Sequence, residues 1–400
     1  MDHIMESTKE LWAQADEPGR GNIQRRLQEL LVSFDTDWDV VMRLASGPLT
    51  LALVKIGVTF SIFQILADAN GSVTVVQFAQ RAAASEEVLR RILRTQAAFN
   101  LIEQTAADAY KANRMTAILA DGNVSGAVLH IFDTLGPIMQ AVPSFLCEHR
   151  PQAQATVSSM GTDTAFQRAF NTDLPAAEWM AQHPDRLQSL SHFMAMQRDA
   201  AWTDRFSVTD EVAAAPPALD PAQAYEAVAL VDVGGGYGHQ ARLFHEKYPQ
   251  LGPVVVQDTA AVLERLPPTP SASASGSRTE RGVVFQAHDF FEQQPVQGAK
   301  FYYFRHVLHD WADAECVQIL RATMPALAPW SRIIVDEVVL PDLHVPWQAA
   351  WQDMVMAAAL GGCERSETEW GHLLAEAGLK IVDIVRYDSK MQCAIVAAPV

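Results

Sequence analysis

The chain has 400 residues, of which 49% are hydrophobic and 19% are charged. A chain of this length and apolar content forms about two or three domains with buried cores, which excludes a globally disordered protein. The formal net charge is −17, and so acidic a surface repels the phosphates of nucleic acids and of anionic lipids. We therefore expect neither nucleic acid nor a membrane as a partner.

Cysteine usage and the N-terminus indicate the compartment. The four cysteines have neither the spacing of metal ligands nor the density of a disulfide scaffold, so we expect a reducing, cytoplasmic setting and no metal site. The first residues lack the charged and apolar regions of a signal peptide. Residues 49–66 are the most apolar stretch, but their polar side chains favour a buried core helix over a lipid-facing span.

The first part of the chain has the pattern of a small helical domain. Apolar residues recur at three- and four-residue spacing within residues 8–46, which predicts a helix there. Short helices are predicted from Ser72 and from Ser85, with Ser85 as an N-cap, and weak alternation over 101–104 and 109–112 predicts a β-hairpin. The order helix, helix, hairpin is typical of a winged helix, which serves in DNA binding or as a packing and dimer module. The acidic charge favours the second use.

The second part of the chain has a different pattern. After a helical segment over 113–215 and a proline-rich break, short β-branched runs alternate with helical stretches. This predicts a mostly parallel, doubly wound α/β sheet, and the closeness of the last two runs predicts an antiparallel final strand. The runs are 228–233, 254–257, 283–286, 301–304, 333–338, 381–385 and 394–397. A low-complexity segment, 267–277, is predicted to be a surface loop.

Glycines follow the first strand of the predicted sheet, where Gly234, Gly236 and Gly238 lead into a helix. Glycines at such a turn let the backbone approach a ligand, and the helix N-terminus offers N–H groups there. Asp258 ends the second strand about 20 residues later, where ribose hydroxyls are held. Asp232 precedes the loop, and its carboxylate suits a cationic cofactor and repels pyrophosphate. We therefore predict S-adenosylmethionine.

Further candidate residues follow the later strands. Asp289 follows the third strand and is predicted to accept from the adenine amino group, with Phe290 against the ring. The fourth strand leads to His309, which is predicted at the ligand-binding edge beyond the carboxyl ends of the strands. Glu337, at the end of the fifth strand, and Glu364, in a glycine turn, are expected to orient the imidazole and to stabilise its protonated form.

The order of these motifs resembles the caffeate-type, class II O-methyltransferases that use S-adenosylmethionine, and is most similar to fungal members of secondary metabolism. The motifs are residues 231–238, the run His309-Asp310-Trp311, the pair Asp336-Glu337 and residues 361–365. The resemblance extends from about residue 49 to the end of the chain and is most specific over 231–370.

The resemblance implies a homodimer of two-domain chains. Residues 1–125 correspond to a winged-helix-like dimerisation domain, and 126–400 to a methyltransferase domain. Within the second domain, 126–220 correspond to a helical substrate-pocket segment and 221–400 to a Rossmann-like core. By position, His309 matches the general base, and Glu337 and Glu364 match its flanking acids. The positions that match cofactor contacts are Asp232, Gly234, Gly236, Gly238, Asp258, Asp289, Phe290 and Arg305, the last standing where the family has a lysine.

The acceptor wall has candidates among the methionines and a tryptophan, since thioethers adapt to flat aromatic ligands. The candidates are Met194, Met196, Trp351, Met354 and Met356, and Asp353 is expected to face the same pocket. In the predicted reaction, His309 removes the proton of a phenolic hydroxyl as the methyl group moves.

Two other functions remain open beside methyl transfer. Some fungal relatives of this family hold a polyketide-derived substrate for dehydration or a pericyclic rearrangement, with the cofactor as a fixed charge. His130, Arg198 and Arg305 can supply polar contacts to such a substrate. The other alternative is a winged-helix regulator that senses a metabolite, against which the acidic charge and the full catalytic set argue.

Overall fold

The structure is a computed structural model, and it describes residues 2–148, 163–196, 201–213, 228–266, 278–280, 282–388 and 391–400. The predicted loop over 267–277 and the proline-rich break lie outside the described residues, as does Arg198. The chain divides into two compact units, Met1–Ser144 with Arg168–Asp199, and Phe145–Gln167 with Ala200–Val400. The domain bounds 1–125 and 126–400 remain a prediction.

The N-terminal helices are shorter than the periodicity predicts. Helix α1 is Asp2–Gln14, α2 is Glu17–Val32 and α3 is Asp37–Thr59. The prediction of one helix over 8–46 is wrong because two N-caps interrupt it. The Asp16 carboxylate accepts from the N–H of Gly19, and Thr36 forms a capping box with Asp39.

Helix α3 is long and apolar enough, by length and composition, to cross a membrane, and 17% of its apolar window is buried. One such helix is weak support for a membrane span, because the core helix of a soluble protein passes the same test. The prediction of one continuous helix over 49–66 is wrong. Ser61, with φ 53°, separates α3 from helix α4, Ile62–Ala67.

A small antiparallel sheet completes the predicted hairpin region. Strands β1 (Val73–Thr74), β2 (Glu103–Ala106) and β3 (Ala109–Lys111) lie in the order β1-β3-β2, which confirms the hairpin. Ser85 is the N-cap residue of the helix that follows it, but its side chain makes no capping hydrogen bond. Helices α5 to α13 are Val75–Ala82, Glu86–Ala98, Arg114–Leu119, Gly122–His130, Gly136–Glu148, Ala165–Phe170, Ala176–Ala181, Pro184–Met196 and Val208–Ala213, with a π-helical turn at Ile131–Leu135.

The large sheet of the second unit confirms the predicted α/β fold. Its strands are β4 Leu230–Val233, β5 Val254–Asp258, β6 Arg278–Glu280, β7 Val283–Ala287, β8 Phe301–Arg305, β9 Arg332–Leu340, β10 Arg365–Ser366, β11 Leu379–Arg386 and β12 Gln392–Pro399. Their order is β11-β12-β9-β8-β4-β5-β7-β6, with β10 beside β9. Strands β4, β5, β7, β8 and β9 are parallel, whereas β12 is antiparallel to β9 and β11, as predicted for the final strand.

Both faces of this sheet are buried, because alternate strand residues enter two different hydrophobic cores. Leu230 belongs to one core, and its neighbour Val231 to the other. Helices α14 to α18 are His239–Lys247, Ala260–Leu263, Asp313–Thr323, Trp347–Ala359 and Glu367–Glu376. Glu337 lies inside β9, paired with Cys393, and not at the end of the strand as predicted.

The order of the chain reverses between β4 and β8. From β4 the chain adds β5 and β7 on one side, whereas β8 and β9 lie on the other side. Ligands bind beyond the carboxyl ends of the strands at such a switch point. The glycine loop follows β4 and the His309 segment follows β8, so the topology brings both to one edge.

Candidate active site

The glycine loop after β4 bends through three residues with left-handed backbone. Gly234, Gly236 and Gly238 have φ values of 70°, 55° and 73°, a region that residues with a Cβ rarely adopt. Gly236 has open space where a Cβ would stand, and its N–H donates to Asp258 Oδ2 at 2.8 Å. Asp258 therefore helps to fix the loop from the end of β5.

Asp232 is buried beneath this loop, with 2% of its surface exposed. A Cβ at Gly235 would lie 2.6 Å from the carboxyl carbon, so only glycine lets the loop cover it. Oδ2 of Asp232 has no hydrogen-bond partner among the described residues, and burial raises the pKa of this carboxyl to about 7. A buried carboxylate with an unpartnered oxygen, beside an open glycine cradle, fits a cationic ligand such as S-adenosylmethionine.

The predicted adenine-side residues lie at the same edge. A Cβ on Gly234 would stand 2.8 Å from Val307 and 3.9 Å from Phe290, so the glycine loop, the start of the His309 segment and Phe290 are neighbours. Oδ1 of Asp289 accepts from the N–H of Phe291 at 3.0 Å and shapes the turn after β7.

Arg305 ends β8 with its charge already paired. Its Nη1 lies 2.9 Å from Asp336 Oδ2 and 3.2 Å from the hydroxyl of Tyr387. Tyr303 and Tyr387 also donate to the Asp336 carboxylate. The Arg305 guanidinium is therefore bound by side chains of the sheet itself. A contact between Arg305 and a cofactor remains a prediction.

The segment that carries His309 leaves β8 through a residue in the left-handed conformation, His306, with φ 51°. The N–H groups of Val307 and Leu308 then donate to Glu337 Oε1, at 2.9 and 3.0 Å. The His306 ring stands edge-on to His309, with 5.1 Å between centroids. Glu337 therefore holds the N-terminal side of the segment with one carboxylate oxygen and leaves the other for the imidazole.

His309 is buried between two carboxylates. Its Nδ1 is 2.8 Å from Glu364 Oε1, with hydrogen-bond geometry, and 3.4 Å from Glu337 Oε2. We assign the Nδ1 proton to the bond with Glu364 on this geometry, which leaves Nε2 as the basic nitrogen. Asp310 Oδ1 lies 3.5 Å from Nε2. Ligand atoms of His309, Glu337 and Glu364 all lie within 4.8 Å of one another, a spacing that also suits a metal ion, so the absence of a metal remains a prediction.

The charges around His309 make it a strong base. Burial lowers the pKa of His309, but Glu337, Asp310 and Glu364 outweigh burial and raise it to about 10. Burial raises the pKa of Glu337 to about 7, although His309 opposes this shift. The pKa of a phenol is near ~10, so the imidazole matches that proton in strength.

Glu364 is itself held by helix α17. Gln352 Nε2 donates to Glu364 Oε1 at 2.8 Å, and Asp353 Oδ1 accepts from the N–H of Glu364 at 2.9 Å. Ser366 and Glu369 form the predicted capping box just beyond. Sequence reasoning missed Gln352, because no local pattern relates it to a residue twelve positions away. Asp353, predicted in the acceptor pocket, lies against the Glu364 backbone.

The other predicted acceptor residues occur in both units of the chain. On α17 in the second unit, Trp351 and Met356 are half-buried and Met354 is 47% exposed. In the first unit, Met194 is 40% exposed on α12.

His130 ends α8 in the first unit and enters the π-helical turn. Only 4% of its surface is exposed, its ring lies 5.4 Å from that of Phe193, and its Nδ1 has no hydrogen-bond partner among the described residues. Burial, aided by the charge of Arg186, lowers the pKa of His130 to about 4. This imidazole is therefore neutral near pH 7 and has one ring nitrogen unused.

Separate comparisons with known proteins indicate the same family. Residues 157–380 match the family model of the O-methyltransferase domain. The chain is 42% identical to demethylsterigmatocystin 6-O-methyltransferase of Aspergillus parasiticus over 400 residues, 100% of this chain and 98% of that protein. The complex of LepI with S-adenosylmethionine has a TM-score of 0.86 at 30% identity, over 100% of this chain and 98% of that chain. A structure described as a pericyclic reaction enzyme also has a TM-score of 0.86 at 30% identity, over 100% and 99% of the two chains.

Proposed function

The chain belongs to the O-methyltransferase family and is an S-adenosylmethionine-dependent O-methyltransferase, and we propose that it methylates a hydroxyl of an aromatic polyketide- or alkaloid-type small molecule with His309 as the general base. The observation that carries this proposal is the buried imidazole between Glu337 and Glu364, on the sheet edge that also bears the glycine loop.

His309 takes the hydroxyl proton of the acceptor at Nε2, because its Nδ1–H is committed to Glu364. The carboxylates of Glu364 and Glu337 stabilise the imidazolium that forms. Most of the acceleration comes from holding the reacting groups in line in a dry site, a contribution of roughly 7–11 kcal/mol.

S-adenosylmethionine, when bound, supplies a methyl group activated by a positively charged sulfur. Asp232, with its unpartnered buried oxygen, would hold a cationic part of the cofactor, and the glycine loop would line it. Asp258 would serve the ribose. Asp289 and Phe290 would serve the adenine.

The test is mass spectrometry of the purified protein with methyl-labelled S-adenosylmethionine and a panel of phenolic and pyridone acceptors that includes demethylsterigmatocystin. A product heavier by one labelled methyl group, together with demethylated cofactor, supports the proposal. The same yield in the presence of EDTA shows that the cluster of His309, Glu337 and Glu364 works without a metal ion.

A cyclase is the second candidate function, because a pericyclic reaction enzyme shares this fold at 30% identity. In that case the cofactor binds, no demethylated cofactor appears, and the substrate is rearranged at unchanged mass or dehydrated. This outcome would contradict methyl transfer.

The acceptor would contact side chains from several elements. His130 offers a neutral imidazole with a free nitrogen, which suits a hydroxyl or carbonyl of a polycyclic ligand. The further acceptor residues that we propose are Met194, Arg198, Trp351, Met354 and Met356. Asp353 would act through Glu364.

The enzyme is proposed to work as a homodimer that pairs through its N-terminal helices. The described side chains of α1 are without exception outside the core, and large apolar residues of α2, of α3 and of the turn between them face solvent. They include Leu31 at 52%, Phe34 at 74%, Trp38 at 70%, Val41 at 56% and Leu44 at 76% exposure. Large apolar side chains exposed in this number within residues 31–44 are typical of a protein interface, and the family resemblance implies a second copy as the partner.

The double substitution Trp38→Asp with Leu44→Asp is expected to convert the dimer to a monomer, because it places charges in the apolar face. Light scattering after size-exclusion chromatography measures the mass. Leu343→Asp is the matched control, since Leu343 is 76% exposed but lies outside these helices. A wild-type protein that runs as a monomer at micromolar concentration contradicts the homodimer.

A cytoplasmic location and the lack of a nucleic-acid partner complete the proposal. Both rest on composition, a net charge of −17 with four scattered cysteines. Retention on a DNA column at low salt contradicts the second statement.

A further inference from the structure

The carbonyl oxygens around His309 are held by the segment that carries Glu364. The N–H of Cys363 donates to the carbonyl of His309 at 3.0 Å. Arg365 donates from Nη1 to the carbonyl of Leu308 at 3.1 Å and from Nη2 to that of Trp311 at 2.9 Å. One guanidinium therefore binds the chain on both sides of the base.

Arg365 is buried and fully engaged. Only 2% of its surface is exposed, and its Nε and Nη2 lie 2.9 and 2.7 Å from Asp313 Oδ1. Its guanidinium lies over the ring of Trp370, 5.2 Å from the centroid. A buried cation is costly unless its donors are satisfied, and the surroundings of Arg365 satisfy each of its nitrogens. Such an arrangement fixes the guanidinium plane.

The backbone of Arg365 is anchored to the strand that carries the other acid. Arg365 pairs in parallel with Val339 of β9, two residues beyond Glu337. Glu364 precedes Arg365 directly, and successive side chains of an extended segment point to opposite sides. Glu364 contacts the imidazole while Arg365 contacts the backbone that carries it.

We propose that Arg365 is a positioning residue for methyl transfer, which fixes the imidazole of His309 against its two carboxylates by holding the backbone on both sides of that base. The proposal rests on His309 acting as the general base. This positioning role requires the planar guanidinium of arginine. The ammonium group of a lysine is a point charge, and it cannot bind two carbonyl oxygens and a carboxylate in one plane.

Arg365→Lys is expected to lower kcat by up to about 10²-fold, the cost of a misplacement near 1 Å, while the Kd for S-adenosylmethionine stays unchanged. The charged or titratable groups that face His309 are His306, Asp310, Glu337 and Glu364. When the imidazole moves away from the carboxylates, its protonated form loses stabilisation. The rising limb of the pH–rate profile therefore moves to lower pH, by about one unit.

The pKa of His309 is also measured without turnover, by NMR titration of protein labelled at histidine Cε1, with His309→Gln to assign the signal. This separates the two proposals, since an inactive wild type refutes methyl transfer, whereas a His309 signal unchanged in Arg365→Lys refutes positioning. Arg321→Lys is the matched control, because Arg321 binds the carbonyl of Glu376 at an exposed site.

A second variant covers the case in which Arg365→Lys fails to fold. Asp313 is 70% exposed, and Asp313→Asn removes the charge that orients the guanidinium without altering shape. It is expected to move the His309 titration in the same direction by a smaller amount. If Asp313→Asn leaves the His309 titration and the pH profile as in the wild type, or lowers kcat only in proportion to lost S-adenosylmethionine binding, the positioning role is overturned.

Discussion

Substitution of His309 by glutamine is expected to lower kcat for methyl transfer by roughly 10²–10⁴-fold, the usual contribution of a positioned general base. Glutamine keeps an amide that can donate to Glu364, but it has no nitrogen that accepts a proton in place of Nε2. Initial rates at saturating acceptor measure the effect. The Kd for S-adenosylmethionine, measured by calorimetry, should match that of the wild type, because Asp232 lies in β4 and the glycine loop follows β4, whereas His309 follows β8.

The matched control for this substitution is His372→Gln. His372 is an exposed histidine on α18, so its replacement should leave kcat and cofactor binding as they are. A His309→Gln protein that is folded, binds the cofactor and keeps more than about a tenth of the wild-type kcat would show that another group takes the proton.

The sheet was predictable because its strands are short β-branched runs between helical stretches. The predicted run 301–304 and the strand Phe301–Arg305 differ by one residue. The last two predicted runs, 381–385 and 394–397, correspond to β11 and β12, which pair in antiparallel fashion. The N-terminal helices were less predictable. Apolar periodicity continues past Asp16 and Thr36, whereas the caps at these residues end one helix and begin the next.

The site residues that could be predicted are titratable side chains near the predicted ends of strands or in turns. Contacts between segments that are distant in sequence could not be predicted. His309, Glu337 and Glu364 were expected together, and the structure places them together. Gln352 donates to Glu364, and Arg365 donates to the carbonyl of Leu308. Both contacts join residues that are distant in sequence, so only the folded structure reveals them. The glycine pair at 361–362 predicts a turn before Glu364 but does not predict which segment that turn contacts. A Cβ on Gly362 would stand 1.9 Å from the carbonyl oxygen of His309, so the two segments meet backbone to backbone.

Glu364→Gln is expected to lower the maximal rate of methyl transfer and to change the pH dependence of the rate. Loss of a hydrogen bond to a charged group costs about 1.5–3 kcal/mol, which is about 10- to 150-fold in the maximal rate, because the imidazolium formed on proton transfer loses a partner. The carboxylates raise the pKa of His309 to about 10, and only the neutral imidazole accepts a proton, so the wild-type rate rises with pH toward that value. Removal of one negative charge lowers the pKa of His309, and the rising limb moves to lower pH by about one to three units.

The pH–rate profile of kcat under saturating conditions, compared with the titration of the His309 NMR signal, measures this shift. Glu367→Gln is the matched control, since Glu367 lies three residues further on an exposed face of the same segment and should leave the profile in place. Direction is the decisive readout. A general loss of packing lowers the maximal rate at every pH without moving the limb, whereas loss of a carboxylate beside the base must move the limb toward acid. A limb that stays in place or moves toward alkaline pH would therefore mean that Glu364 does not act on the proton held by His309.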